Sequence, residues 1–200
     1  MICVLDYGFG NIKSIANALK QSEISFKILD DLKNLKNFKK IILPGVGSFS
    51  PAMSKLKKIG FDERIKKFVE NKDNSLLGIC LGMQLLTSFG FENQKEEGLN
   101  LISGESRYLK KNNLYTHHVG WNNINLISRN RICKGITHDI DFYFCHSIYV
   151  KCEKKYIVAE TEFHFKFPSI INNENIYGIQ FHPEKSHFNG LKILKNFSKL

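Results

Sequence analysis

Cys80 stands in Leu77-Gly78-Ile79-Cys80-Leu81-Gly82-Met83-Gln84, a thiol spaced evenly between two glycines. Leu76 to Ile79 reads as a short apolar strand and Met83 to Phe89 as a helix, so Cys80 falls on the turn between them. A tight strand-to-helix junction brings neighbouring backbones close, which glycine permits and a Cβ obstructs. At the end of a strand and the start of a helix, a cysteine is presented to substrate and its thiolate form is favoured. A lone cysteine is more often a packing residue. The paired glycines and the change of periodicity point instead to a nucleophile.

A nucleophilic thiol needs a proton carrier. His182-Pro183-Glu184 follows the apolar run Ile176 to Phe181. Residues i and i+2 of an extended segment face the same side, so Glu184 can hold the far nitrogen of His182. His-x-Glu alone is common in structural roles. Joined to Gly-x-Cys-x-Gly, it makes an arrangement for an activated thiol. The other histidines, His117, His118, His138, His146, His164 and His187, show no such partner pattern, and no metal-ligating set is spelled out. Pro44-Gly45-Val46-Gly47, just after Ile41 to Leu43, offers free backbone N–H groups, the raw material of an oxyanion hole. Gly8-Phe9-Gly10 lacks the third glycine of a dinucleotide fingerprint and reads as a β-to-α turn.

Apolar runs at Ile2–Leu5, Ser25–Leu29, Ile41–Leu43 and Leu76–Ile79 read as strands. Helical spacing follows at Ile12 to Leu19, Ala52 to Ile59 and Phe61 to Val69. The order β-α-β-β-α-β-α predicts an α/β fold, a doubly wound, mostly parallel sheet with helices on both faces. Sites in such sheets lie beyond the carboxyl ends of the strands, which puts Gly8, Gly45 and Cys80 on one edge. From Gly98 to Phe167 the runs shorten, at Ile124–Ile127, Phe142–Cys145, Tyr149–Cys152 and Ile157–Glu160. They predict an antiparallel extension rather than a second domain, so residues 1–200 read as one. Ile170-Ile171 and Ile176 to Phe181 bracket a hairpin turn at Asn172 to Asn175, and Leu191, Ile193, Leu194 and Phe197 outline a closing helix.

The net charge is +10, but the lysines are spread along the chain and alternate with Asn, Ile and Phe. That is a solvated basic surface and not a nucleic-acid groove. The chain shows neither a long unbroken apolar run nor a charged n-region ahead of an apolar one, which argues against a membrane location. The five cysteines, Cys3, Cys80, Cys133, Cys145 and Cys152, are odd in number and lack C-x-x-C spacing, as expected of reduced thiols in the cytoplasm.

With these residues assembled, Gly78-Ile79-Cys80-Leu81-Gly82-Met83-Gln84 and Gln180-Phe181-His182-Pro183-Glu184 resemble the two signatures of class I glutamine amidotransferases. Asp6-Tyr7-Gly8-Phe9-Gly10-Asn11, Pro44-Gly45-Val46-Gly47, Gly120-Trp121-Asn122 and Glu184-Lys185-Ser186 resemble, within that family, the glutaminase subunits of imidazole glycerol phosphate synthases. The resemblance runs from end to end. It departs from the usual pattern at His117, where a proline is usual, and at Ile148, where an aromatic residue is usual.

The resemblance implies a mechanism. Cys80 attacks the carboxamide of L-glutamine, His182 carries the proton, and Glu184 orients the imidazole. Leu81 and a donor from Val46 and Gly47 form the oxyanion hole, while Gln84, His146 and Ser147 grip the amino-acid moiety. Neither a metal nor an organic cofactor is required. Ammonia passes to a (β/α)8-barrel cyclase in a heterodimer, docked through Asn11, Trp121, Tyr143 and Lys185, for histidine biosynthesis. Two alternatives stay open, a paralogous glutaminase serving another synthetase, such as one that amidinates a surface sugar, and an inactive barrel-binding scaffold.

Overall fold

Residues Ile2–Leu5 (β1) are buried on both faces, and their alternation sorts them between two hydrophobic layers. Cys3 and Leu5 enter one layer, Ile2 and Val4 the other. The computed structural model describes residues 1–31, 33–137 and 140–200, so His138 lies outside the described residues. After β1 come Ile12–Gln21 (α1), Phe26–Leu29 (β2), Lys40–Leu43 (β3), Phe49–Lys58 (α2), Phe61–Glu70 (α3), Ser75–Ile79 (β4) and Leu81–Leu85 (α4). The sequence repeats its alternation in β3 and β4: Ile41, Leu43 and Leu76 join the first layer, Ile42, Leu77 and Ile79 the second. Helices α2, α3 and α4 cover the first layer and α1 the second.

The chain continues through Thr87–Phe91 (β5), Lys95–Glu97 (β6), Ile102–Tyr108 (β7), Lys110–Lys111 (β8) and Leu114–Tyr115 (β9). There follow His118–Leu126 (β10), Ile140–His146 (β11), Ile148–Cys152 (β12), Ile157–Phe163 (β13), Phe165–Asn173 (β14), Ile176–Ile179 (β15) and His187–Ser198 (α5), which packs in the second layer with α1. Nine strands form one sheet in the order β11-β10-β13-β14-β15-β4-β3-β1-β2. From β15 to β2 it is parallel, and from β15 to β11 antiparallel. This is the expected doubly wound sheet with its extension.

Two expectations need correction. The stretch from Gly98 to Phe167 does not all extend the main sheet: β7 and β12 pair with each other in a separate four-stranded sheet, β12-β7-β5-β6, over the first layer. The helix after Cys80 is not Met83 to Phe89 but the five residues Leu81–Leu85, and Thr87–Phe91 is strand. The Thr87 hydroxyl donates to the Gln84 carbonyl at 2.7 Å, ending the helix, and Phe89 to Phe91 pair with Glu105 to Arg107. A short apolar run suits either conformation locally, and pairing with β7 decides for strand.

Registers Gly178↔Gly78, Ile179↔Ile79 and Leu43↔Gly78 align the carboxyl ends of β15, β4 and β3. The loops that leave these ends, together with the loop after β1, meet on one edge. There the Tyr7 hydroxyl donates to the Pro44 carbonyl at 2.9 Å, tying the first loop to the second.

Candidate active site

The turn at Cys80 is sharp enough to strain its residue. Cys80 has φ 53 and ψ −110, a region that side chains other than glycine rarely enter. Its N–H donates to the Ile179 carbonyl at 2.8 Å, so the main sheet holds the strained peptide in place. Both flanking glycines are needed for close approach. A Cβ on Gly78 would lie 2.6 Å from the Gly82 carbonyl oxygen, and one on Gly82 would run into the Leu43 carbonyl. Helix α4 therefore lies directly across the ends of β3 and β4, and Cys80 is raised at the mouth of a cavity.

That cavity, about 380 Å³, is lined by Val46, Gly47, Cys80, Leu81, Gln84, His146, Ser147 and His182 among the expected residues. Lys185, expected on a docking face, also lines it. Glu92, Ser48, Cys145 and Ile148 complete the wall. Glu184 stands behind His182: its Oε1 is 2.8 Å from His182 Nδ1, with the two side chains 2% and 4% exposed. The pair is not held by strand geometry, because β15 ends at Ile179 and Pro183–Lys185 forms a 3-10 turn. Pro183 opens that turn, which brings the Glu184 carboxylate to His182 Nδ1.

Burial opposes a charge on His182, but hydrogen bonds and charge from Cys80 on one side and Glu184 on the other outweigh it. The imidazole pKa is held up to about 10, against an ordinary 6.5, which favours the cationic ring. Burial, with the charge of Cys80, also pushes up the pKa of the Tyr7 phenol beneath the site, keeping it a donor to Pro44. Burial raises Cys3, Cys133 and Cys152 to about 12, and they remain inert packing groups. All five cysteines are free.

The backbone donors are in two states. Leu81 opens α4, so its N–H has no acceptor within the helix. The Val46 N–H donates to the Phe9 carbonyl at 2.6 Å and is turned away from the cavity. Gly47 follows at φ 99, a conformation suited to glycine.

Sequence reasoning missed Glu92, and it missed the bonding partners of Tyr143 and of three histidines. Glu92 reaches the cavity from the end of β5 and accepts the Phe49 N–H at 2.6 Å; it follows a stretch read as helix, with no motif to mark it. Tyr143 clamps the His182 segment. Its carbonyl accepts the His182 N–H at 2.9 Å, and its N–H donates to Ser186 Oγ at 3.0 Å, which in turn donates to the His182 carbonyl at 2.6 Å. His118 and His146, given no partners by the sequence pattern, bond each other at 3.0 Å, and His117 Nδ1 meets Ser147 Oγ at 2.5 Å.

Of the expected docking residues, Trp121 (48% exposed) and Tyr143 are cross-strand neighbours, and Lys185 Nζ sits 5.4 Å from the Tyr143 ring. Asn11 is exposed and accepts the Ser14 N–H at 3.3 Å as the N-cap of α1. Among the described residues no group of three His, Cys, Asp or Glu side chains is arranged to hold a metal ion, and no helix is long and apolar enough to cross a membrane.

A strained cysteine on a strand-to-helix elbow, beside a buried His-Glu pair on a doubly wound sheet, has the geometry of a thiol amidotransferase. The chain belongs to the class I glutamine amidotransferase family, whose sequence model, "Glutamine amidotransferase class-I", matches residues 3–200. Within it the chain sides with the HisH subunits of imidazole glycerol phosphate synthase. It is 45% identical to "Imidazole glycerol phosphate synthase subunit HisH" of Caldanaerobacter subterraneus subsp. tengcongensis, over 100% of this chain and 98% of that one. It is 41% identical to "Imidazole glycerol phosphate synthase subunit HisH 1" of Campylobacter jejuni subsp. jejuni strain 81-176, over 100% of both. A solved structure titled "Crystal structure of glutamine amidotransferase" superposes with a TM-score of 0.77 at 16% identity, covering 99% of this chain and 97% of that one, a likeness of fold.

Proposed function

We propose that this chain is the glutaminase half of an imidazole glycerol phosphate synthase, hydrolysing L-glutamine at Cys80 and handing the ammonia to a (β/α)8-barrel cyclase in the cytoplasm. The observation that carries the chemistry is the strained Cys80 opening into one cavity with His182, whose far nitrogen is bonded to Glu184. Because Nδ1 faces Glu184, Nε2 is the nitrogen left for Cys80 and substrate. The thiolate adds to the carboxamide carbon, His182 gives its Nε2 proton to the departing nitrogen, and ammonia leaves a glutamyl thioester. His182 then takes a proton from water, the hydroxide adds to the thioester, and the thiolate departs, freeing glutamate. Glu184 holds the ring and its positive charge. The Glu92 carboxylate in the cavity wall suits the α-ammonium of glutamine. Asn11, Trp121, Tyr143 and Lys185 are the face offered to the cyclase, an exposed tryptophan packed on a half-buried tyrosine beside a cation.

The test is transfer of nitrogen. Supplied with glutamine labelled with nitrogen-15 at the amide, a complex of this chain with a barrel cyclase and its nucleotide substrate places the label in imidazole glycerol phosphate. Glutamate release without labelled product would overturn the partner assignment and leave the glutaminase.

Glu184→Gln is expected to reduce glutamine kcat about 10- to 100-fold, the worth of a hydrogen bond to a charged ring. Because Glu184 helps raise the His182 pKa, its removal lowers that pKa. Activity that needs the imidazolium then fades at lower pH, and the alkaline limb of the kcat profile moves down. A limb that stayed in place or moved up would contradict the role given to Glu184.

A further inference from the structure

Two buried imidazoles, His118 (3% exposed) and His146 (7% exposed), take no part in the proton transfers above. His118 lies between the rings of Phe144 and Phe163, with centroids at 4.6 and 4.2 Å and interplanar angles of 23° and 18°. Packing alone would be served better by a third phenylalanine, since burying two ring nitrogens costs free energy unless both are bonded. Both are bonded, and the directions of the bonds follow from their neighbours.

His146 Nδ1 is 2.8 Å from the Ile148 carbonyl, which can only accept, so Nδ1 carries the hydrogen. Burial holds the His146 pKa down to about 3, so the ring is neutral and Nε2 is bare. Nε2 therefore accepts from His118 Nδ1 at 3.0 Å. Burial likewise lowers His118 to about 4, which leaves its Nε2 as an acceptor for Asn122 Nδ2 at 3.2 Å. The Asn122 amide is oriented independently: its Oδ1 accepts the Asn123 N–H at 2.8 Å and its Nδ2 donates to the Glu162 carbonyl at 3.0 Å. All these constraints agree on one sense of donation, from Asn122 through His118 and His146 to the Ile148 carbonyl.

The far end of this line is the cavity. Ile148 begins β12 directly after Ser147, which is the single residue between β11 of the large sheet and β12 of the small one. Its carbonyl accepts both His146 Nδ1 and Gln84 Nε2, the latter at 3.1 Å. Gln84 Nε2 also lies 3.5 Å from Gln180 Oε1, and Gln180 Nε2 is 3.8 Å from Cys80 Sγ. The near end is Asn122, adjacent to Trp121 on β10.

We propose that His118 and His146 are positioning residues for glutamine turnover, a one-way hydrogen-bond relay that pins the Ser147-Ile148 corner of the substrate cavity to the Trp121-Asn122 segment of β10. With both its ring nitrogens engaged, His146 acts on glutamine through that corner and not by direct contact. The inference rests on the glutaminase reading above.

Two measurements test it. Nitrogen-15 NMR of the imidazoles in the whole chain is expected to find both His118 and His146 as the Nδ1–H tautomer. In the complex with the barrel subunit, His118→Phe keeps the stacking and removes the relay, and is expected to lower kcat/KM for glutamine roughly tenfold, mostly through KM. His118→Asn, whose amide nitrogen takes the place of Nδ1, is expected to recover most of that loss. A packing role alone gives the opposite order, with Phe at or above wild type and Asn below it. That order, or an Nε2–H tautomer at either position, overturns the relay; should His118→Phe fail to fold, the tautomers decide. Wild-type turnover with the wrong tautomers removes the relay only. A wild-type complex with no turnover removes the glutaminase reading first and the relay with it.

Discussion

Cys80→Ala is expected to abolish glutamine hydrolysis by the complex while its ammonia-driven synthesis continues. Removing the nucleophile of a covalent hydrolase costs on the order of 10⁴–10⁶ in kcat. The fold should tolerate the change. Cys80 has a small side chain at the cavity mouth, its N–H bond to Ile179 belongs to the backbone, and alanine at φ 53 is no more strained than cysteine. His182→Ala is expected to fall into the same range, and the double variant no further, because nucleophile and proton carrier act as one unit. Steady-state glutamate release from the three variants, with product formation from an ammonium salt as the control, makes the measurement. Hydrolysis by Cys80→Ala within tenfold of wild type would show that another group attacks glutamine.

The second large effect needs no substitution. The chain alone is expected to hydrolyse glutamine about 10²–10³-fold more slowly than the complex with cyclase ligand bound, the worth of one oxyanion donor. The physical reason is the Val46 N–H, given to the Phe9 carbonyl at 2.6 Å. The cavity then has the Leu81 N–H at the start of α4, while the Val46 N–H is committed to Phe9. Turning the peptide between Gly45 and Val46 would aim that donor inward at the cost of the Phe9 bond, and glycine on both sides of Val46 leaves the rotation open. Phe9 belongs to the loop that ends at Asn11 and α1, and on the docking face proposed above, binding at Asn11 would bias the exchange. A ligand that favours the turned state shifts the population by its difference in affinity for the two. Glutamate release is to be compared for the chain alone, with the barrel, and with barrel plus its nucleotide ligand. Equal rates in all three would mean that Val46 does not gate the reaction.

Much of this arrangement was legible before any folding. The apolar runs that form β1, β3 and β4 read as strands from the sequence, and a strand buried on both faces sends successive apolar side chains to two layers. Gly78 and Gly82 marked the elbow because a Cβ at either would collide with backbone, and that requirement is local to the turn. His182 and Glu184 are two residues apart, so a bond between them needed only a short bend of the chain, although the bend is a 3-10 turn and not a strand. What tertiary structure alone decided lies between segments distant in the chain. Thr87–Phe91 became strand because β7 was there to pair with it, and that pairing delivered Glu92 to the cavity. The aim of the Val46 N–H depends on the Phe9 carbonyl, and the tautomers of His118 and His146 depend on Asn122 and Ile148. Residue type and spacing specify which groups a segment offers; a hydrogen bond between distant segments depends on where folding brings its second partner.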